Sequence, residues 1–298
     1  MNDSIAAIVV TYNRLSLLQE CIRSLRSQIY KVDYIIIINN GSNDGTEEWL
    51  KTQSDIIYIT QNNRGGSWGY YTGIKYAYNM GCAWFWCMDD DTILNEETLD
   101  RLVKCKYYSS NNTGFLASLV LWKDGLPHHM NLPEFTKDYK WLTNVMKTKA
   151  ISIVSCSFVS VLISMEAVKV IGLPLKEFFI WYDDIEYTLR ISKQFYGYLV
   201  LDSIAFHLTA DNSGSLLDRK IKSQLPQETY HKYYCGLRNK IYMARLREYG
   251  FINKLVKIHP ILIRQIINVC KGLVPPKMLM ACIDGLRFNP KVDHIIDH

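Results

Sequence analysis

Along the first half of the chain, two hydrophobic periods take turns. Ile5–Val10 is an unbroken apolar run rich in β-branched residues, and Leu15, Leu18, Cys21, Ile22 and Leu25 then recur at helical spacing. Tyr34–Ile38 predicts a second strand, Thr46–Lys51 a short helix and Ile56–Ile59 a third strand. Trp68–Asn79 predicts a helix in spite of two glycines. Ala83–Met88 predicts a fourth strand, and Asn95–Tyr107 a helix with Leu99, Leu102 and Val103 on one face. Strands that are apolar at every position are covered on both faces. With helices between them they predict an α/β fold on a mostly parallel sheet. In such sheets ligands sit beyond the carboxyl ends of the strands.

The second half is mixed. Phe115–Trp122 predicts a strand, Lys123–Met146 a loop-rich insertion, and Ile151–Ile163 a β-rich apolar run. Asp183–Lys193 is helical in pattern, and Tyr198–Leu201 and Ile204–Phe206 predict two short strands. From about Gln227 the character changes to three basic or aromatic helices: Tyr230–Tyr249, Phe251–Val274 (stopped by Pro275-Pro276) and Met278–Leu286. A boundary near Gln224 therefore separates residues 1–224 from a helical region, 225–298.

Composition narrows the field only a little. With 298 residues, 48% apolar and a net formal charge of +5, the chain is neither disordered nor collagen-like and can bury a large core. That charge is too mild to indicate nucleic acid, and none is expected as a partner. The eight cysteines include no C-x-x-C pair, which speaks against structural zinc. Met1–Ile5 leads directly into a strand without a signal peptide, so the thiols are expected reduced and the compartment cytoplasmic. No apolar run approaches the roughly 20 residues of a membrane span.

The candidate chemistry gathers at strand ends. Asp89-Asp90-Asp91 closes the fourth strand. Three adjacent carboxylates at the end of a buried strand repel one another unless a cation is present, and hard oxygen ligands suit Mg²⁺ or Mn²⁺. Helix capping would explain one of them, not three. Trp181-Tyr182-Asp183-Asp184-Ile185-Glu186-Tyr187 opens a helix. Its acids could simply favour the helix dipole, or form a general base beside an aromatic sugar platform. His207 ends Ile204–Phe206, where a lone histidine is as readily structural as a ligand. Three loops rich in amides, hydroxyls and glycines follow the first three strands: Thr11–Arg14, Asn39–Gly45 and Gln61–Gly66. Each alone is only a turn, and together they could hold a base, a ribose and a diphosphate. Neither G-x-G-x-x-G after strand one nor a Walker A loop is present, which disfavours a nicotinamide enzyme or a P-loop NTPase.

In this order the motifs Val9–Arg14, Asn39–Thr46, Asn62–Gly66, Asp89–Asp91, Trp181–Tyr187 and His207 resemble the family 2 glycosyltransferases over residues 5–210. The aromatic-Asp-Asp-x-Glu-Tyr stretch and Tyr233-Tyr234-x-x-x-Arg238-Asn239 resemble the branch of bacterial galactofuranosyl- and rhamnosyltransferases that build surface polysaccharides such as capsule and O-antigen. The resemblance implies a GT-A nucleotide-diphospho-sugar fold, Rossmann-like, with a C-terminal helical appendage. Its donor half is about 1–122 and its acceptor half about 123–224. It also implies an inverting, metal-dependent hexosyl transfer from a UDP- or dTDP-linked donor to a glycan or polyprenyl-diphosphate-linked acceptor. Thr11, Tyr12, Arg14, Asn40, Asp44, Gly65, Gly66, Asp89 and Asp90 would meet the donor. Asp91, His207 and Asp89 would hold Mn²⁺ or Mg²⁺. Asp184 would be the catalytic carboxylate, with Trp181, Tyr182 and Asp183 lining the acceptor pocket. One departure from the family pattern is Trp68, Tyr70 and Tyr71, which follow the glycines where small residues usually continue.

Two alternatives stand beside this reading. A sugar-1-phosphate nucleotidyltransferase would need a Gly-rich basic loop where Thr11–Arg14 stands, and a non-catalytic carbohydrate-binding protein would not need Asp184, Asp91 and His207 together. Phe251–Val274 mixes Lys254, Lys257, Arg264 and Lys271 with many aliphatic residues. It could lie on an anionic membrane, at the inner face of the cell membrane, or pack on the catalytic domain or on a second subunit of a homo-oligomer.

Overall fold

A computed structural model describes residues 4–210, 212, 227–247 and 251–295. The boundary expected near Gln224 lies outside the described residues. The first half alternates as the sequence predicts: β1 Ile5–Thr11, α1 Leu15–Arg26, β2 Tyr34–Asn39, α2 Thr46–Lys51, β3 Ile56–Thr60, α3 Gly66–Asn79 and β4 Trp84–Asp89. Every residue of β1 is buried, because both of its faces are covered. Ile5, Ala7 and Val9 pack with Leu18, Ile22 and Leu25 of α1, while Ala6, Ile8 and Val10 pack with Ile74 and Ala77 of α3. The glycines of α3 explain why a helix forms there against propensity. A Cβ on Gly69 would come within 2.5 Å of Val10 Cγ1, and one on Gly73 would collide with Ile8. Their absence lets α3 lie close on the sheet.

The chain continues through β5 Thr92–Leu94, α4 Thr98–Val103, β6 Thr113–Leu121, β7 Glu134–Phe135, α5 Val145–Thr148, β8 Ala150–Ser155, β9 Val161–Ser164, α6 Met165–Ile171, α7 Asp183–Ile191 and β10 Tyr196–His207. One sheet has the order β3-β2-β1-β4-β9-β6-β10-β8-β7, with β5 paired to β10. Strands β1 to β4, β6 and β10 run in one direction, interrupted by antiparallel β9 and bordered by antiparallel β8.

Two local expectations change, and a third gains its boundaries. The helix expected over Asn95–Tyr107 is confined to Thr98–Val103. Its start is fixed by Gln28, whose Nε2 donates to the Asn95 carbonyl (2.7 Å) and whose Oε1 accepts from the Leu99 amide (3.0 Å). The β-rich run Ile151–Ile163 divides between two strands, β8 and β9. Cys156–Ser160 leaves β8 and crosses the sheet to β9, pinned where the Thr188 hydroxyl bonds both the amide and the carbonyl of Cys156. Tyr198–Leu201 and Ile204–Phe206 are one strand, β10, whose register against β6 shifts between Val200 and Ile204. At that irregularity the Ser203 hydroxyl bonds Ser118 (2.8 Å), which in turn bonds Ser160 (2.7 Å).

The C-terminal region forms α8 Gln227–Arg247, α9 Phe251–Cys270 and α10 Lys277–Arg287. It packs on the rest of the chain rather than hanging from it. Tyr242 and Met243 of α8 share a core with Leu175 and Phe178, joined by Leu189 of α7 and by Phe288.

Candidate active site

The acid triplet is built by a strand end and a tight turn. β4 stops at Asp89, and the chain turns through Asp90 and Asp91 into β5. Because Thr92 pairs with His207 across the antiparallel β5–β10 ladder, that pairing carries the imidazole to the triplet from more than a hundred residues away. His207 Nε2 lies 3.0 Å from Asp91 Oδ1. From the β1 side, Thr11 Oγ1 donates to Asp90 Oδ2 (2.8 Å), and Arg14 Nη1 reaches Asp90 Oδ1 (3.2 Å) and Asp91 Oδ2 (2.8 Å). From α3, the Tyr70 hydroxyl donates to Asp89 Oδ1 (2.6 Å).

The three carboxyls differ in protonation tendency. Burial pushes Asp89 and Asp90 up, against the attraction of nearby cations, and Asp90 reaches about 7. Burial acts on Asp91 as well, but the His207 contact and the Arg14 guanidinium outweigh it and hold Asp91 at about 2. A permanently ionised carboxylate is thus kept where a cation would be bound.

The donor set fits a divalent cation. Asp89, Asp91 and His207 each offer one ligand atom, all within 4.8 Å of one another. The Asn131 amide donates through Nδ2 to Ser157 Oγ (2.8 Å), so its Oδ1 accepts from His207 Nδ1, also at 2.8 Å. Nδ1 therefore carries a proton, and Nε2 is the ring atom that meets Asp91. Burial lowers the imidazole pKa, but the hydrogen bond and charge of Asp91 outweigh it and raise the ring above its ordinary value. Asp91 Oδ1 is buried, with His207 Nε2 as its contact. A cation bound here would take the place of the Nε2 proton between these two atoms.

The carboxylates of α7 face the same region. Asp183 is buried and Asp184 partly exposed. Asp184 Oδ1 accepts from the Ile185 amide (2.7 Å). Burial first, then the Asp183 carboxylate, raises Asp184 well above the ordinary range, with the Asp89 charge adding to it. Burial likewise brings Asp183 to about 6, again with Asp89 adding to it. The approach to α7 is unusual: Phe179, Trp181 and Tyr182 all have positive φ, at 68°, 62° and 69°. Gly65 explains how this segment meets the donor loops. Gly65 has φ +89°, and a Cβ there would collide with the Phe179 carbonyl, which accepts from the Ser67 amide at 3.3 Å.

The remaining candidates divide between frame and cleft. Thr11 is buried with its hydroxyl on Asp90, and buried Asn40 bonds the Gly65 carbonyl (3.3 Å) and Gln61 Nε2 (2.8 Å). Their side chains tie the three loops together. Asp44 does the same at the rim: one oxygen accepts from the Leu15 amide at the start of α1 (2.9 Å), the other from Thr46. Tyr12 is partly exposed, Arg14 exposed, and a Cβ on Gly66 would meet nothing within 4 Å, so these three border open space. Of the aromatic departures, only Tyr70 reaches the acids. Tyr71 bonds Asp293 (2.9 Å), and Trp68 is covered by Arg64.

Three residues at this site escaped sequence reasoning. Asn131 lies in the insertion that read as mere loop. Tyr70 was visible only as a departure from small residues. Asn239 stood in a quoted motif without a role, and it donates to carbonyls of the segment before α7.

A sequence model described as glycosyl transferase family 2 matches residues 6–172. The galactofuranosyltransferase GlfT1 of Mycolicibacterium smegmatis is 23% identical over 255 residues, covering 81% of this chain and 83% of that protein. The dTDP-rhamnosyl transferase RfbF of Shigella flexneri is 25% identical over 299 residues, covering 96% and 97%. Among solved structures, GalNAc-T7 with UDP, GalNAc and Mn²⁺ superposes with a TM-score of 0.60 at 15% identity. It covers 81% of this chain, which spans about half of that one (47%).

Proposed function

This chain belongs to the family 2 glycosyl transferases, and on that premise we propose that it moves a hexose from a nucleotide-diphosphate donor to a hydroxyl of a glycan or lipid-linked glycan, with inversion at the anomeric carbon. Membership of an enzyme family sets aside the nucleotidyltransferase and the non-catalytic binding protein. The reading rests above all on one observation: Asp184, partly exposed at the start of α7, lies near enough to Asp89 of the Asp89–Asp91–His207 cluster to feel that carboxylate's charge.

The chemistry follows from these groups. Asp91, His207 and Asp89 would hold the cation, and Mn²⁺ or Mg²⁺ suits their oxygen and nitrogen donors. When bound, the cation supplies charge neutralisation to the diphosphate leaving group. Arg14 adds a fixed positive charge at the same place. Asp184 takes the proton of the acceptor hydroxyl as its oxygen attacks the anomeric carbon, and the bond from that carbon to the diphosphate breaks with its electron pair on the leaving oxygen. A single displacement inverts the centre, and no second carboxylate is needed as acid. Trp181 and Tyr182, ahead of Asp183 and the base, pack in part against the C-terminal helices, and their partly exposed rings would line the acceptor pocket.

Galactofuranose on UDP and rhamnose on dTDP are the proposed donors, supported by what the GlfT1 and RfbF relatives transfer. Thermal shift against UDP, dTDP and GDP with Mn²⁺, followed by release of the nucleotide from UDP-galactofuranose and dTDP-rhamnose, tests the reading. Stabilisation by one of the first two, with hexose transfer, is expected. Silence across the panel would overturn it.

We place the enzyme on the cytoplasmic face of an anionic membrane, with a lipid-linked acceptor. Leu255, Val256, Ile263, Ile266 and Ile267 of α9 are 41–63% exposed and share one side of the helix, opposite the side that packs inward through Ile258. Exposed Lys257, Arg264 and Lys271 run along the flank at seven-residue intervals, and no acidic residue occurs between Glu248 and Asp284. No helix among the described residues is long and apolar enough to cross a membrane, so this face would lie in the headgroup layer. The protein is expected to float with phosphatidylglycerol vesicles and not with phosphatidylcholine alone. Val256→Asp with Ile263→Asp should abolish flotation. Equal flotation of the double variant would refute the contact.

A further inference from the structure

The segment leading into α7 makes one hydrogen bond of its own, from the Ile180 amide to the Phe178 carbonyl (2.9 Å), and takes the rest from other parts of the chain. Phe179, Trp181 and Tyr182 all have positive φ, which bulky side chains avoid and which persists only where surroundings impose it. Asn239, fully buried on α8, imposes it from one side. The two hydrogens of its Nδ2 are shared among the carbonyls of Phe178 (2.9 Å), Ile180 (3.0 Å) and Trp181 (3.0 Å). Arg238 Nη2 adds bonds to the carbonyls of Glu177 (2.7 Å) and Phe178 (3.0 Å). Arg238 also fixes which way the Asn239 amide points: its Nε and Nη2 both donate to Asn239 Oδ1 (3.0 and 2.8 Å), which leaves only Nδ2 for the segment. The guanidinium itself lies 4.0 Å over the Phe288 ring, so it is held in place. On the opposite side the segment abuts Gly65 and the Ser67 amide.

We propose that Arg238 and Asn239 are positioning residues of the transfer: from α8 they clamp segment 177–182 in its strained, positive-φ form, and this sets the direction in which Trp181, Tyr182 and Asp184 meet the acceptor. The proposal rests on the reading of Asp184 as base. It makes the C-terminal helices part of the acceptor site rather than an appendage. An ordinary helix-to-domain contact joins side chain to side chain. Here five bonds from two adjacent side chains go to the backbone of one short segment. Tyr182 is the last residue before the helix that carries Asp183 and Asp184, so a change in its φ swings the start of α7.

The test uses the full chain with Arg238→Lys, which keeps charge and loses the fork, and Asn239→Asp, which keeps shape and loses the donor. Hydrogen exchange of segment 177–182, calorimetric binding of UDP or dTDP with Mn²⁺, and transfer to octyl galactoside and octyl rhamnoside are measured. The segment is expected to exchange about 10-fold faster or more while β1 to β4 do not change. Nucleotide affinity should stay within about 2-fold, and transfer should fall roughly 10- to 100-fold with a raised acceptor KM, as for a misaligned reacting group. Arg238 is only partly buried, so its variant decides the matter if Asn239→Asp does not fold. Unchanged exchange with normal transfer overturns the proposal. So does a joint loss of nucleotide binding and of protection in β1 to β4, which is what a merely structural role gives. A wild type that transfers to neither glycoside contradicts the proposed function, while exchange of segment 177–182 still judges the clamp.

Discussion

Asp184→Asn is expected to abolish sugar transfer while leaving nucleotide binding intact. General-base catalysis contributes about 10²- to 10⁴-fold, and the amide cannot take the hydroxyl proton. It does keep the shape of the side chain and an oxygen to accept from the Ile185 amide, so the start of α7 should hold. The variant also carries a signature in stability. Burial, then the Asp183 charge, raises Asp184 well above an ordinary carboxyl. The folded protein therefore binds this proton more tightly than the unfolded chain. Ionised Asp184 destabilises the fold, and that cost grows as pH rises above the ordinary carboxylate range. The neutral amide removes it. Asp184→Asn should melt above the wild type at about pH 8 and lose that advantage at about pH 3, where the carboxyl is protonated in both states. The wild-type rate should climb with pH through the raised pKa, because only the ionised form accepts a proton. Steady-state turnover and melting curves across pH read both effects. Near-normal turnover in the variant would end the assignment of the base.

The parts of this site that the sequence revealed are those encoded by neighbouring residues. β1 and β4 are short apolar runs whose every residue must be covered, and this placed the acid triplet at a strand end before any coordinates. Thr11, Arg14 and His207 were reachable because each sits at the end of such a run. What stayed hidden depends on pairs distant in the chain. Asn131 bonds His207 across 76 residues, from an insertion with no periodicity to mark it. Asn239 reaches back about sixty residues to three carbonyls, and backbone acceptors leave no trace in side-chain pattern. The Ile151–Ile163 run showed β character without its strand boundaries for a related reason. Hydrophobicity records that a residue is buried, not that the chain leaves one strand at Ser155 and enters another at Val161. Asn40 and Asp44 show the converse limit. A motif located both, but their side-chain oxygens bind the protein's own amides, and only geometry could separate a frame from a contact surface.

Asp91→Ala is expected to erase the part of nucleotide binding that depends on a divalent cation. Asp91 is the point where the two ends of the site meet: one oxygen bonds Arg14 at 2.8 Å and the other meets His207 Nε2 at 3.0 Å. Removing it takes away the carboxylate that stays ionised, and Asp89 and Asp90, both pushed up by burial, are poor substitutes at neutral pH. Asn131→Ala gives the graded comparison. It leaves all three ligand atoms and frees the His207 ring, a loss that for outer partners of metal ligands runs to about 10- to 100-fold in affinity. Titrating UDP or dTDP in Mn²⁺ and in EDTA should therefore order the proteins as wild type, then Asn131→Ala, then Asp91→Ala, with all three converging in EDTA. The convergence is what separates a cation site from a packing role. If Asp91→Ala loses as much affinity in EDTA as in Mn²⁺, the triplet and His207 do not hold a cation.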